Sequence, residues 1–255
     1  SHSTLSGGDG NDLIIADGRF IHLFGDAGDD LVRPKNIAFA TIDGGTGADT
    51  IDLSQFYTSR LGVTVNLNLK SISNDLTERS TITNFENVIG TDLADTIIGN
   101  SSSNLLNGGG GNDKISSGSG EDLILAGDGQ DLIDGQAGTD TLTGGGGNDV
   151  FIFSNSKDLS KALAKADTIT DFTQGEDKIH LNFDSNINVK GLQIFNFIGN
   201  QSFSNTAGEL RYTPTLKNED GINYIFLQGD INGDGNFDFV IKLLAVTALD
   251  KSDFV

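Results

Sequence analysis

Residues 90–152 read GTDLADTII, GNSSSNLLN, GGGGNDKIS, SGSGEDLIL, AGDGQDLID, GQAGTDTLT and GGGGNDVFI, one nine-residue phrase written seven times without an insertion. The sixth place holds Asp95, Asn104, Asp113, Asp122, Asp131, Asp140 and Asp149, and the eighth holds Ile97, Leu106, Ile115, Ile124, Ile133, Leu142 and Phe151. The small, Gly-rich residues that open each phrase must turn the chain, because glycine reaches positive φ without a Cβ clash. The x-hydrophobe-x that closes it suits a very short strand with its middle side chain inward. Two phrases then make one turn–strand–turn–strand coil, and stacked coils bury a thin aliphatic seam between two parallel sheets. The acids line both edges, eighteen residues apart along each. Carboxylates and bare carbonyls at that spacing repel unless a hard cation sits between them, and an oxygen-only ligand set suits Ca²⁺.

The phrase resembles the G-G-x-G-x-D-x-U-x nonapeptide of the RTX family, and GGGGNDKIS and GGGGNDVFI fit it at every position. The resemblance implies an all-β fold, a right-handed parallel β-roll, with Ca²⁺ between same-edge turns. It implies ligands from backbone carbonyls at places two and four of one turn and one and three of the other, and from both sixth-place acids. In the long run those positions are Gly108, Gly109, Gly110, Gly111 and Asp113; Ser117, Gly118, Ser119, Gly120 and Asp122; Ala126, Gly127, Asp128, Gly129 and Asp131; Gly135, Ala137 and Asp140; Gly144, Gly146 and Asp149. Asp113 pairs with Asp131, Asp131 with Asp149, and Asp122 with Asp140. Thr91, Leu93 and Asn104 depart from the pattern, so sites using Asp95 or Asn104 are expected to be weaker or empty.

Upstream, GGDGNDLII at 7–15, GDAGDDLVR at 25–33 and GGTGADTID at 44–52 repeat the phrase. The same carry-over assigns Gly8, Gly10 and Asp12; Gly25, Asp26, Ala27, Gly28 and Asp30; and Gly44, Thr46 and Asp49, with ions along one edge only. The intervening phrases lack the Gly-Asp turn but keep Ile21, Leu23, Phe39 and Ile42 for the core. In the insert 53–89, GVTVNLNL alternates Val63, Val65, Leu67 and Leu69 with polar residues and predicts a half-buried strand. The solenoid is expected to continue there with longer, metal-free turns. Past the run, Asp158 and Asp167 keep the nine-residue phase, and Asp167 is the better candidate for a capping ligand.

The stretches LQIFNFIG, GELRYTPT, NYIFLQGD and FDFVIKLL predict a C-terminal antiparallel β cap over the open end of the roll. AGELRYTP, GDINGDGNFDFVIKL and LDKSDFV are similar to the C-terminal domain of serralysin-type secreted metalloproteases, a resemblance covering 108–255. The expected domains are an N-terminal roll 1–52, the insert 53–89, the main roll 90–152 and a cap 153–255 that carries a type I secretion signal ending in Phe254-Val255. Asp230, Asn232, Asp234, Gly235 and Asp238 also open like an EF-hand loop, but Ile241 replaces its bidentate Glu, so a hairpin turn is expected.

Composition narrows the partners. The chain has 36 acidic against 16 basic residues, a formal charge of −20, 34 Gly, 2 Pro and no Cys, Met or Trp. Phosphates would be repelled, which excludes nucleic acid, and no basic amphipathic stretch favours an anionic membrane surface. No apolar run approaches the roughly 18 residues of a membrane span. The absence of Cys fits a secreted protein stapled by metal rather than disulfides. Such charge with few aromatics would ordinarily mean disorder, so the phasing predicts a chain that is unfolded without metal and folds with it.

Nothing assembles into a catalytic site. H-E-x-x-H and G-x-S-x-G are both missing, His2, His22 and His180 are scattered, and a strand rather than a helix follows each Gly-rich turn. The expectation is a non-enzymatic, secreted Ca²⁺-binding module, the C-terminal part of a larger protein exported by type I secretion machinery. About seven Ca²⁺ ions, or about +14, would offset most of the −20. The alternatives are the tail of a secreted hydrolase, or part of an adhesin or surface protein that binds extracellular polysaccharide or a cell surface.

Overall fold

A computed structural model describes residues 3–36, 38–56, 61–74, 79–188 and 193–255. Each nonapeptide places its hydrophobe at the centre of a strand. Thr96–Ile98, Lys114–Ser116, Leu132–Asp134 and Val150–Phe153 form one parallel sheet, sheet A. Leu105–Gly110, Leu123–Gly129 and Thr141–Gly147 form the other, sheet B. The register is eighteen residues throughout, stacking Ile97 on Ile115, Ile133 and Phe151, and Leu106 on Ile124 and Leu142. All seven are at most 2% exposed and belong to one continuous core. Full burial of each such side chain stabilises the coil by roughly 1.5–3 kcal/mol.

The upstream phrases extend the same two sheets. Ser3–Asp9, Ile21–Ala27 and Thr41–Asp43 lie in sheet A, and Leu13–Asp17, Leu31–Asn36 and Thr50–Asp52 in sheet B. Ile21, Leu23 and Ile42 enter the core as expected. Phe39 does not. It is exposed with a left-handed φ of 59°, stacks on exposed Phe20 at 5.3 Å, and lies under the Arg19 guanidinium.

The insert departs from the expected coils. In sheet B it adds only Asn87–Ile89, which pairs directly with Thr50–Asp52. In sheet A it adds Thr64–Asn66, Ser71–Ser73 and Arg79–Thr83, of which the middle strand is antiparallel to both neighbours. The outer two stay parallel to Thr96–Ile98 and Thr41–Asp43. The physical reason lies in the turn. Leu67 O accepts the Lys70 N–H, Asn66 Oδ1 accepts the Leu69 N–H, and Lys70 takes a positive φ, so the chain reverses within one sheet instead of crossing to the other. Leu69 caps this reversal and is exposed, while Val63, Val65 and Leu67 are buried.

Parallel stacking runs on past residue 152. Asp167–Ile169 extends sheet B and Lys178–Leu181 extends sheet A. Phe239–Leu244 then joins Asp167–Ile169 in parallel, and from it the sheet turns antiparallel through Asn223–Asp230 and Glu209–Tyr212. Phe183, Phe195 and Phe239 pack edge-to-face at 5.3–5.6 Å beneath this cap. Phe254 rests on Phe197 at 5.0 Å and bridges Ile179, so the tail also closes the end of sheet A.

Candidate metal rows along the two edges

The residue just before each strand, or at its first position in the case of Asp167, forms a row. Ahead of sheet B stand Asp12, Asp30, Asp49, Glu86, Asn104, Asp122, Asp140 and Asp167, and ahead of sheet A stand Asp95, Asp113, Asp131, Asp149 and Asp177. One interaction recurs, in which a row residue accepts, through one side-chain oxygen, the backbone N–H of its counterpart one coil earlier. Along the sheet B edge Asp30 accepts from Asp12 at 2.8 Å, Asp49 from Asp30 at 2.8 Å, Asp122 from Asn104 at 2.7 Å, Asp140 from Asp122 at 3.0 Å and Asp167 from Asp140 at 2.9 Å. Along the other edge Asp113 accepts from Asp95 at 2.7 Å, Asp131 from Asp113 at 2.8 Å, Asp149 from Asp131 at 3.0 Å and Asp177 from Asp149 at 3.0 Å.

The second oxygen matters more. Oδ2 of Asp12, Asp30, Asp49, Asp113, Asp122, Asp131, Asp140 and Asp149 is buried and has no hydrogen-bond partner. An unpaired buried carboxylate oxygen is among the most costly groups a protein can hold. Desolvation accordingly pushes Asp113, Asp140 and Asp167 up to about 7 and Asp149 to about 6; neighbouring row carboxylates add to the rise at Asp113, Asp140 and Asp149, and Asp158 and Asp134 add to it at Asp167. Burial also raises Asp49, Asp122 and Asp131.

Carbonyls converge on the same places. A Cβ on Gly108 would lie 2.3 Å from Asp113 Oδ2 and 2.4 Å from the Ala126 carbonyl of the next coil, and on Gly25 it would meet Asp30 Oδ2 and the Gly44 carbonyl. A side chain at the first place of the turn would therefore fill the cradle. Gly118 and Asp128 carbonyls each accept an N–H across the coils, as do Ala27 and Thr46, which leaves each a second lone pair. The Gly135 carbonyl takes the Ser117 hydroxyl at 2.8 Å. Places two and four are left-handed in most turns, including two that are not glycine, Asp26 with φ 75° and Gln136 with φ 59°. Among the described residues no three His, Asp or Glu side chains converge on a point. A cation at these steps must take much of its coordination from backbone oxygens, and two carboxylates with several carbonyls fit Ca²⁺.

Some sequence-predicted positions behave differently. Asp95 is fully satisfied by the chain, one oxygen accepting Val63 N–H at 2.6 Å and Thr91 Oγ1 at 3.0 Å and the other Thr91 N–H at 2.6 Å. Asn104 bridges coils through its amide, donating to Glu86 O at 2.7 Å. Asp158 lies outside both rows, in a turn where Asn155 Nδ2 reaches it at 3.3 Å. The loop after Asp230 is a hairpin connection, since Asp230 takes the N–H groups of Gly233 and Gly235. His180 lines an apolar cavity of about 310 Å³ beside Phe195, Phe197 and Phe254 that has no Asp or Glu side chain in its wall; His2 lies outside the described residues.

Sequence reasoning missed Glu86 and Asp177. Both stand one residue before an x-hydrophobe-x strand, as in Glu86-Asn87-Val88-Ile89 and Asp177-Lys178-Ile179-His180, and that local signature could have found them. Asp171 was also missed. Its carboxylate accepts Gly144 and Gly145 N–H, holding the turn of the last full repeat.

A parallel roll with carboxylate rows on both edges defines an RTX calcium-binding module. The chain belongs to the family described as Peptidase M10 serralysin C terminal, which matches residues 35–255, and residues 2–18 match the RTX calcium-binding nonapeptide repeat. It is a module of this C-terminal type rather than a catalytic domain, and such domains belong to exported bacterial proteins. Among solved structures, the AlgE6R3 and AlgE6R2 subunits of the Azotobacter vinelandii mannuronan C5-epimerase are similar at 23% and 25% identity. Each match covers 66% of this chain, with 80% and 90% of theirs and TM-scores of 0.32 and 0.31. The extracellular lipase LipA from Serratia marcescens is similar at 15% identity over 100% of this chain and 40% of its own, with a TM-score of 0.30. Likenesses this loose carry no functional reading. No curated protein matches. Among the described residues no helix is long and apolar enough to cross a membrane.

Proposed function

We infer that the rows are a calcium-operated folding device for export by a type I route. The supporting observation is that each orphaned Oδ2 begins a step whose next member is also an acid. Seven of these steps join two aspartates: Asp12–Asp30, Asp30–Asp49, Asp113–Asp131, Asp131–Asp149, Asp149–Asp177, Asp122–Asp140 and Asp140–Asp167. Ca²⁺ bound there supplies two positive charges per pair of carboxylates. The chain supplies the orphaned Oδ2, the partner carboxylate, and carbonyls of the Gly-rich turns such as Ala126 O and Gly44 O. Seven ions bring about +14 against −20.

In a calcium-poor cytoplasm the unneutralised rows keep the chain open and able to thread an exporter; outside, calcium closes the coils. The serralysin-type family favours service as the tail of an exported hydrolase over an adhesin or polysaccharide-binding wall. The test is to titrate Ca²⁺ into chelator-treated protein and follow far-UV circular dichroism. A disordered spectrum should convert cooperatively to β, with Mg²⁺ a poor substitute because it demands smaller octahedral sites. A fully β apo protein ends this reading.

A further inference from the structure

The two sheets of the roll end unequally. Sheet B runs on from Asp167–Ile169 through Phe239–Leu244, Asn223–Asp230 and Glu209–Tyr212. Sheet A stops at Lys178–Leu181. Among the described residues its outer edge meets only the chain's tail, by a single bridge between Ile179 and Phe254 and a bond from Val255 N–H to Ile179 O at 3.2 Å. The seam that earlier coils fill with hydrophobes from both sheets therefore opens on one side here, as the apolar cavity of about 310 Å³ beside His180.

Its walls are the buried or half-buried side chains of Ile179, Phe183, Phe195, Leu210 and Phe254. Phe183 meets Phe195 edge-to-face at 5.6 Å and Phe239 at 5.3 Å, and Phe254 leans on Phe197 at 5.0 Å, so the rings brace one another around the space. Protein interiors are close-packed, and apolar voids of this size hold water poorly and take apolar guests. The volume stands at the lower end of the roughly 300–1,000 Å³ of small-molecule sites, which suits one slender chain.

The mouth has a different chemistry. Ile194, 91% exposed, and Val255, 63% exposed, mark it, and the polar side chains of the wall are His180, Asn182, Gln193 and Lys251. No Asp or Glu stands among them, a local exception on a chain with 36 acidic against 16 basic residues. Among the described residues neither the Lys251 ammonium nor the His180 imidazole has a side-chain hydrogen bond or an ion pair, so both are open to an anionic group.

We propose that this cavity binds a straight-chain alkyl carboxylate of medium length, its chain in the unfilled end of the seam and its carboxylate at the mouth beside Lys251 and His180. Lys251 supplies the charge and His180 an N–H donor, the pairing that makes a hydrogen bond to a carboxylate strong. The apolar walls supply the affinity.

The experiment titrates the full chain, folded in calcium and isotope-labelled at Ile, Leu and Phe, with hexanoate, octanoate, decanoate and dodecanoate, below the concentrations at which micelles or calcium soaps form. Decanoate should saturate, with NMR shifts confined to Ile179, Leu181, Phe197, Leu210 and Phe254. Each added methylene should tighten binding about fourfold until the cavity is full, and lengthening should then add nothing. Lys251→Gln should weaken decanoate severalfold and leave decanol unchanged. Ile194→Trp, at an exposed position outside the core, should block the mouth to both. No shifts at the five residues overturn the site, and so does decanoate binding that survives Ile194→Trp undiminished, because it then lies elsewhere. Decanol binding as tightly as decanoate overturns the carboxylate assignment. If the same resonances move when the protein alone is concentrated, a second copy covers the cavity and the proposal fails.

Discussion

Protons should partly replace calcium. Row residues sit one strand apart, about 4.8 Å, and two unit charges at that distance repel by about 3.5 kcal/mol at an effective dielectric of about 20. The row Asp113, Asp131, Asp149, Asp177 has three such neighbour steps, or about 10 kcal/mol before salt screening, as large as the whole stability of a typical domain. The fully ionised, metal-free roll cannot stand against that. Asp113, Asp140 and Asp167 are held up to about 7 and Asp149 to about 6, against an ordinary 3.8. With the folded value raised, the folded state binds more protons than the unfolded one across that window. The stabilisation is complete below about 4 and is lost as pH rises through 6–7. In calcium-free buffer the β signal in far-UV circular dichroism should therefore grow between pH 8 and pH 5.5, a range that stays above the sequence pI of 4.2. In calcium, the midpoint for folding should move to higher concentration over the same interval, because protons compete for the same oxygens. An apo spectrum that does not change between pH 8 and pH 5.5 would refute the account of the rows.

Other substitutions separate the parts of the device. Asp131 takes part in two steps, so Asp131→Ala should raise the calcium midpoint far more than Asn104→Ala, and calcium counting should show the loss only for the former. Asn104→Ala removes the bond to Glu86 O and should lower stability in saturating calcium by about 1–3 kcal/mol, measured by urea denaturation; equal shifts in the calcium midpoint would show the rows to be misassigned. Leu142→Ala, at a fully buried place in the seam, should cost about 2–5 kcal/mol with the ion count intact. Deleting Phe254 and Val255 should stop type I export of a passenger fused ahead of the chain. Export at the undeleted level leaves Phe254 only its packing on Phe197.

The coil geometry was legible because one large hydrophobic side chain per nine residues forms the seam. Ile97, Leu106 and their counterparts fall on the seam wherever the phrase is intact, and Asp113, Asp122 and Asp131 fall on the rows with them. What stayed hidden depends on stacking in space. Asp49 meets Glu86 across most of the insert, and Asp149 meets Asp177 out of the nine-residue phase, so no fixed spacing announces either. The reversal in the insert was hidden for a different reason. An alternating run such as Val63 to Leu69 marks a half-buried strand without saying whether the next strand lies in the same sheet or the opposite one. Phe39 was misplaced because a hydrophobe in the degenerate phrase can sit in the turn as readily as in the strand.

The coil formed by residues 90–107 stands apart from those around it. Asp95 is satisfied by Val63 and Thr91, and Asn104 by its own amide partners, so this one layer in the middle of the stack needs no ion. A solenoid grows by adding layers to an existing template, and the first layer is the expensive one. A self-sufficient layer placed centrally works as a seed crystal, offering a finished face to each side, so that order spreads outward in two short fronts rather than one long one. At calcium levels below the folding midpoint, the amides of Thr96–Ile98 and Leu105–Asn107 should therefore be the first to resist hydrogen exchange, ahead of the richer repeats whose ions have yet to arrive.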